Sequence, residues 1–110
     1  MRFIDWFAGI GGFRLGLERA GHECVGACEI DKRARRVYEH RFGSGHWFAK
    51  DITEVTPDEI PEADLWCGGS PCQGFSQAGD GAGLDDPRSG LLTTGIRLLA
   101  ARRPRWFLLE

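Results

Sequence analysis

The sequence predicts an α/β domain: about five parallel strands with helices on both faces of the sheet. Three observations predict it. Short apolar runs alternate with stretches of helical spacing along the 110 residues, the signature of a sheet wound with helices. Four segments fall outside both patterns: 7–12, 29–31, 50–52 and 68–76. Each follows a predicted strand, and in such sheets ligands bind beyond the strand carboxyl ends, near the switch in strand order. Finally, the length supports one domain with a modest core.

The elements follow in order. Phe3-Ile4-Asp5-Trp6 reads as a short first strand, and Phe7 to Gly12 as a glycine-rich turn. Phe13 to Ala20 places Phe13, Leu17 and Ala20 at helical spacing, with Gly21 as a stop. Glu23 to Glu29 reads as the second strand. Asp31 caps a helix running to about Arg41, and Gly43 ends it. Trp47-Phe48-Ala49 is a weak third strand, and Thr56 to Glu59 a turn or single helical turn. Ala63 to Cys67 makes the fourth strand. Residues 68 to 88 read as one long loop, a mobile lid or binding loop, since loops of that length are uncommon in compact domains. Ser89 to Arg102 is a helix with Leu92, Ile96 and Leu99 on its apolar face. Pro104 breaks it, and Arg105 to Leu109 is the fifth strand.

Composition excludes several classes. No apolar run approaches the ~18 residues of a membrane span, and Asp5 interrupts the only early apolar stretch, so no signal peptide is expected. The expected location is the cytoplasm. The net charge of −2 gives no global attraction to nucleic acid. Two basic clusters, Lys32-Arg33-Arg35-Arg36 and Arg97-Arg102-Arg103-Arg105, read as solvated helix faces. Four cysteines invite a disulfide or zinc reading. Cys24 and Cys28, however, share a predicted strand and lie about 13 Å apart at roughly 3.3 Å per residue, too far for either. No metal site is expected.

The segment Gly68-Gly69-Ser70-Pro71-Cys72-Gln73-Gly74-Phe75-Ser76 carries the sharpest chemical signal. Pro71 restricts the backbone before Cys72, and the flanking glycines allow close approach. A cysteine so held reads as a nucleophile, whereas Cys67, inside the apolar run, reads as a buried inert thiol. None of His22, His40 and His46 lies in the loop to serve as its base. A substrate that becomes activated as it is attacked relaxes that need. Phe7-Ala8-Gly9-Ile10-Gly11-Gly12 allows a cofactor close to the backbone and lacks the lysine pattern of a P-loop. Glu29, closing the second strand, can accept from ribose hydroxyls or serve as a helix cap with Asp31. Asp51-Ile52 can meet an adenine ring or simply make a turn.

Phe7 to Phe13, Gly69 to Ser76 and the terminal Phe107-Leu108-Leu109-Glu110 together resemble the N-terminal part of a DNA (cytosine-5)-methyltransferase, over essentially the whole chain. The resemblance implies a Rossmann-like, S-adenosylmethionine-dependent methyltransferase sheet, present incompletely. It implies that Phe7, Ala8, Gly9, Gly11 and Gly12 wrap S-adenosylmethionine with Phe7 against the adenine. Glu29 would hold the ribose, with Ile30 beside the ring and Asp51 and Ile52 at the adenine. Pro71 would border the cofactor, and Cys72 would attack C6 of a flipped cytosine. Glu110 would contact the base at N3, with a carboxyl pKa raised by burial. Gln73, Ser76 and Arg88 would belong to the loop that closes over the substrate.

The resemblance further implies double-stranded DNA as partner, a bacterial or phage-encoded enzyme and association with the nucleoid. In the family, base-holding arginines, a target-recognition region and further strands follow the position of Glu110. Residues 1–110 are therefore expected to be the N-terminal part of the cofactor-binding domain, completed by a C-terminal portion or by another chain. Strand 105–109 is expected as an exposed apolar edge. Two other readings compete: a tRNA-directed member of the same family, and a non-catalytic module completed by a partner. A different methyltransferase or a reductase on the same sheet has no need for the Pro71-Cys72-Gln73 thiol.

Overall fold

The computed structural model describes residues 1–69 and 87–110, and the side chains of these except 87–90 and 92. Five strands, β1 (Arg2–Trp6), β2 (Glu23–Cys28), β3 (Trp47–Ala49), β4 (Leu65–Gly68) and β5 (Trp106–Leu109), form one sheet in the order β3-β2-β1-β4-β5. Every pairing is parallel. The helices are α1 (Gly12–Arg19), α2 (Lys32–Phe42) and α3 (Pro87–Arg102), with single 3₁₀ turns at Ile52–Glu54 and Pro57–Glu59.

Burial explains the strand order. β1 and β4 are apolar and buried on both faces, as central strands of a parallel sheet must be. All four residues of β5 are exposed, as predicted for the edge. The chain leaves β1 for β2 and β3 on one side, then returns to β4 and β5 on the other, so the switch in strand order falls between β1 and β4. Gly68 belongs to β4, not to the loop, and only glycine fits there: a Cβ would lie 2.2 Å from the Trp6 carbonyl oxygen.

One face of the sheet packs on α1 and α2. Phe3, Cys24, Leu65 and Cys67 meet Phe13 and Leu17 of α1, while Ala8, Ala27 and Tyr38 meet Phe42 and Phe48. On the other face Ile4, Trp6, Cys28 and Trp66 pack with Ile52, Val55, Ile60 and Leu98. The β1–β2 register shifts between Phe3 and Ile4, and this bulge inverts the alternation of β2. Cys24 and Cys28 therefore lie in different clusters on opposite faces, a stronger separation than their spacing predicts.

Local signals act as expected around α2. Asp31 accepts from the N–H groups of Arg33 and Ala34, and Gly43 closes the helix at φ 78°. Two expectations for α3 need correction. The helix begins at Pro87, not Ser89, because proline at the first helical position has the right φ and loses no needed donor; Arg88 thus lies in its first turn, not in the loop. Among its described side chains Leu98 is buried, with Leu91 and, as expected, Leu99 packed beside it, whereas Ile96 is exposed; the side chain of Leu92 lies outside the described residues. The inward stripe is rotated by about one residue because α3 meets the sheet together with the 3₁₀ turn at Ile52, whose side chain lies 3.8 Å from where a Cβ on Gly95 would stand.

Candidate functional site

A cleft of about 240 Å³ opens where β1, β2 and β3 end, lined by Phe7, Cys28, Glu29, Ile30, Lys50, Asp51, Ile52, Gly69 and Leu91. Of the residues singled out in the sequence, Phe7, Glu29, Ile30, Asp51 and Ile52 converge here, from three separate strand ends. Cys28, Lys50, Gly69 and Leu91 complete the wall. Lys50 and Gly69 fall in the strand-end segments that the sequence marks, whereas Cys28 and Leu91 acquire their place only through packing.

Glu29 fixes the shape of the cleft. Its Oε1 accepts from the Gly9 N–H at 2.7 Å and its Oε2 from the Asp31 N–H at 2.9 Å. One carboxylate thus ties the glycine turn to the start of α2, where it supports the capping residue Asp31, and it also lines the cleft. Phe7 takes φ 51°, a strained conformation for a bulky residue, and such strain concentrates at functional sites. Gly11, at φ 96°, is required by crowding: a Cβ there would stand 2.3 Å from the Phe42 ring. Ala8 is buried against Ala27 and Tyr38, and Gly12 opens α1. Ala8, Gly11 and Gly12 therefore shape the turn without lining the cleft.

Asp51 is exposed. Hydrogen bonds from the Thr53 hydroxyl, at 2.7 Å, and the Thr53 N–H, at 2.9 Å, hold its carboxyl below the usual range. Beside it Ile52 is buried, while Ile30 stands 58% exposed at the lip. The arrangement is a cavity with an apolar floor and lip and two fixed carboxylates, suited to an uncharged aromatic ring carrying hydrogen-bond donors.

Residues 1–110 match the family profile of C-5 cytosine-specific DNA methylases. The chain belongs to that family. It is 44% identical over 110 residues to the type II methyltransferase M.HhaI of Haemophilus parahaemolyticus, covering all of this chain and 33% of that protein. It is 47% identical over 118 residues to M.HgiCII of Herpetosiphon aurantiacus, covering 99% of this chain and 25% of the relative. A solved structure assigned as a DNA modification methyltransferase encoded within a prophage (E. coli) matches with a TM-score of 0.83 at 32% identity, over 99% of this chain and 31% of that one. The chain thus spans about a quarter to a third of the length of these relatives.

Within this methylase family chain, Pro71, Cys72, Gln73 and Ser76 lie outside the described residues, as does the side chain of Arg88. Glu110 follows β5, its N–H bonded to the Gly68 carbonyl at 3.1 Å, which sets it beside the end of β4, whose next residues lead to Cys72. The burial expected for it is not there. Glu110 is exposed and borders an open groove with Phe13, Gly16 and Leu17 of α1, because no described element covers that side of β5. Cys67 behaves as the sequence suggests: it is fully buried, and burial pushes its thiol pKa up. Burial likewise pushes Cys28, in the cleft wall, up to about 12, which leaves it unreactive at neutral pH. Among the described residues no helix is long and apolar enough to cross a membrane.

A buried polar network escaped the sequence reading. Asp5 is fully buried in β1 and accepts from the Tyr38 hydroxyl at 3.3 Å. Arg14 of α1 donates to that hydroxyl at 3.5 Å, contacts His46 Nε2 at 3.3 Å and stacks on Phe42 at 4.4 Å. Burial raises the Asp5 carboxyl to about 7 despite the Tyr38 bond and the charge of Arg14. The available signal was an aspartate inside an apolar strand, which demands a partner. Two arginines taken for solvated are also anchored. Arg35 donates to backbone carbonyls of β2 and β3, and Arg102 to Pro57 O and Glu62, each at 2.8 Å.

Proposed function

We propose that residues 1–110 are the N-terminal, cofactor-binding part of an S-adenosylmethionine-dependent DNA cytosine-5 methyltransferase of the restriction–modification kind. These residues correspond to about a quarter to a third of the length of the relatives, and the target-recognition region belongs to the remainder. The observation that carries the reading is the convergence of Phe7, Glu29, Ile30, Asp51 and Ile52 on one cleft at the switch in strand order, in a chain of this family.

The residues present fit S-adenosylmethionine. Ile30 and Phe7 offer apolar surface to an adenine ring. Glu29, already pinned through both oxygens, keeps lone pairs free for two ribose hydroxyls. Asp51, held ionised, accepts from an amino group. When bound, S-adenosylmethionine supplies the methyl group. The remaining work falls to the chain. The Cys72 thiolate forms a bond to C6 of a cytosine drawn out of the duplex, at a cost of a few kcal/mol for extrusion. Glu110, carrying a proton, hydrogen-bonds N3, so electron density moves to C5 and makes that carbon nucleophilic. Once C5 carries the methyl group, loss of its proton to water breaks the C6–S bond and releases the Cys72 thiolate. Gln73, Ser76 and Arg88 stand near the base in this reading, and Pro71 near the cofactor. Double-stranded DNA, and with it the nucleoid, is the partner.

Isothermal titration with S-adenosylhomocysteine tests the cleft. The expected outcome is 1:1 binding, weakened strongly by Glu29→Ala. No binding by the folded chain at millimolar ligand would remove the cofactor assignment.

A further inference from the structure

The geometry points to Arg35 as a positioning residue that sets the distance between the two carboxylates of the cleft, an inference that rests on the cofactor reading above. β3 has three residues, and its pairing with β2 ends at Cys28 and Ala49. One further backbone bond, Glu29 N–H to the Ala49 carbonyl at 3.0 Å, closes the ladder. Beyond that point the strands supply Glu29 and Ile30 on one side and Lys50, Asp51 and Ile52 on the other, all lining the cleft. A three-residue strand pairing with β2 alone among the described residues is a weak mount for half of a binding site.

Arg35 reinforces it from below. From α2, its Nη1 donates to the Glu29 carbonyl at 2.9 Å and to the Ala49 carbonyl at 2.6 Å, and its Nη2 donates to the Phe48 carbonyl at 3.4 Å. The guanidinium lies 3.8 Å above the Phe48 ring, and the side chain is 13% exposed. Glu39, one turn on, stands 3.8 Å from Nη2. A single planar group therefore bridges the Glu29 carbonyl, just past β2, and the last carbonyl of β3, one residue before Ile30 and one before Lys50. Through Glu29 the bridge continues to Gly9 and the glycine turn. A lysine has no second nitrogen to reach the Phe48 carbonyl while the first bridges Glu29 and Ala49, and no plane to stack on the Phe48 ring, so the fork's geometry, and not the charge alone, holds the spacing.

Titration of the 110-residue chain with S-adenosylhomocysteine tests this. Arg35→Ala is expected to weaken binding roughly 10- to 100-fold, the scale of an ångström-level misplacement. Arg35→Lys should fall between it and the parent. Glu39→Gln, which removes the ion pair and leaves the carbonyl bonds, should bind as the parent does. Asp51→Ala should cost less in the Arg35→Ala background than in the parent, because the misplaced carboxylate has less to lose; a purely structural role would make the two losses additive. Circular dichroism checks each variant's fold, and if Arg35→Ala does not fold, Arg35→Lys decides alone. Parent-like affinity in a folded Arg35 variant, or additive losses, overturns the proposal. Absence of binding in the parent itself strikes the cofactor reading instead, so the two failures are distinguishable.

Discussion

The two sides of β1 differ in how completely they finish themselves. Toward β2 and β3, side chains tie each strand end to its neighbour. Glu29 holds the glycine turn, Arg35 holds β2 to β3, and Asp5, Tyr38 and Arg14 join β1 to both helices of that face. Toward β4 and β5 no described element covers the edge strand: Trp106 and Phe107 are 55% and 60% exposed, and Glu110 stands beside an open groove. In the proposed reading the cofactor cleft lies at the ends of β1, β2 and β3, and Glu110 stands at the end of β5, on the other side of β1. On that reading, cofactor binding and base chemistry are physically separable: the cleft is built from residues of this chain, which spans a quarter to a third of the length of its relatives.

The largest effect that would break this division is chemical. In a protein extended to the length of its relatives, Cys72→Ser should abolish covalent capture of 5-fluorocytosine-containing DNA on a denaturing gel, a loss of at least about 10⁴-fold. Persistence of the adduct would falsify the nucleophile assignment. The 110-residue chain alone should show negligible methyl transfer while still binding S-adenosylhomocysteine; robust turnover would erase the distinction between the halves.

Next in size is a matched pair of truncations followed by urea unfolding. Phe3→Ala, at a fully buried site, should cost about 3–5 kcal/mol. Phe107→Ala, on β5, should cost under about 1 kcal/mol. Equal losses would mean that β5 is covered in solution.

Asp5 gives a pH-dependent test of the finished side. An unfolded aspartate ionises near ~3.9, whereas the folded chain holds the Asp5 proton up to about 7. The contribution of the neutral carboxyl is full below the unfolded value, declines as pH rises between the two, and is gone above the folded one. The total is on the order of 4 kcal/mol. Asp5→Asn keeps the acceptor for Tyr38 and cannot ionise. Its stability relative to the parent should therefore climb from pH 4 to 7 and then level off. A flat difference would show that Asp5 is already ionised in the fold.

The smallest change concerns association. Leu108→Lys, at an exposed edge position, should alter stability by about 0.5 kcal/mol or less while lowering self-association in sedimentation velocity.

Much of this was legible from the chain. The alternation of apolar runs and helical spacing gave five parallel strands, Asp31 and Gly43 marked the ends of α2, and the residues after each strand supplied the cleft. Local chemistry sufficed because caps, breakers and strand ends act over a few residues. The inward face of α3 was misread because two surfaces, the sheet and the turn at Ile52, jointly decide which stripe is buried. The Asp5 network and the Arg35 fork stayed hidden for a related reason. Each joins groups on elements 14 to 33 residues apart in sequence, and a charge on a helix looks the same in sequence whether it meets water or a carbonyl. By itself, then, the sequence determined the order of elements and the strand-end segments that line the cleft, because these follow from periodicity and turn chemistry. Only the tertiary structure decided which charges are buried, which side of the sheet is complete and how far apart the cleft's carboxylates stand, because those depend on distances between strands that no local spacing encodes.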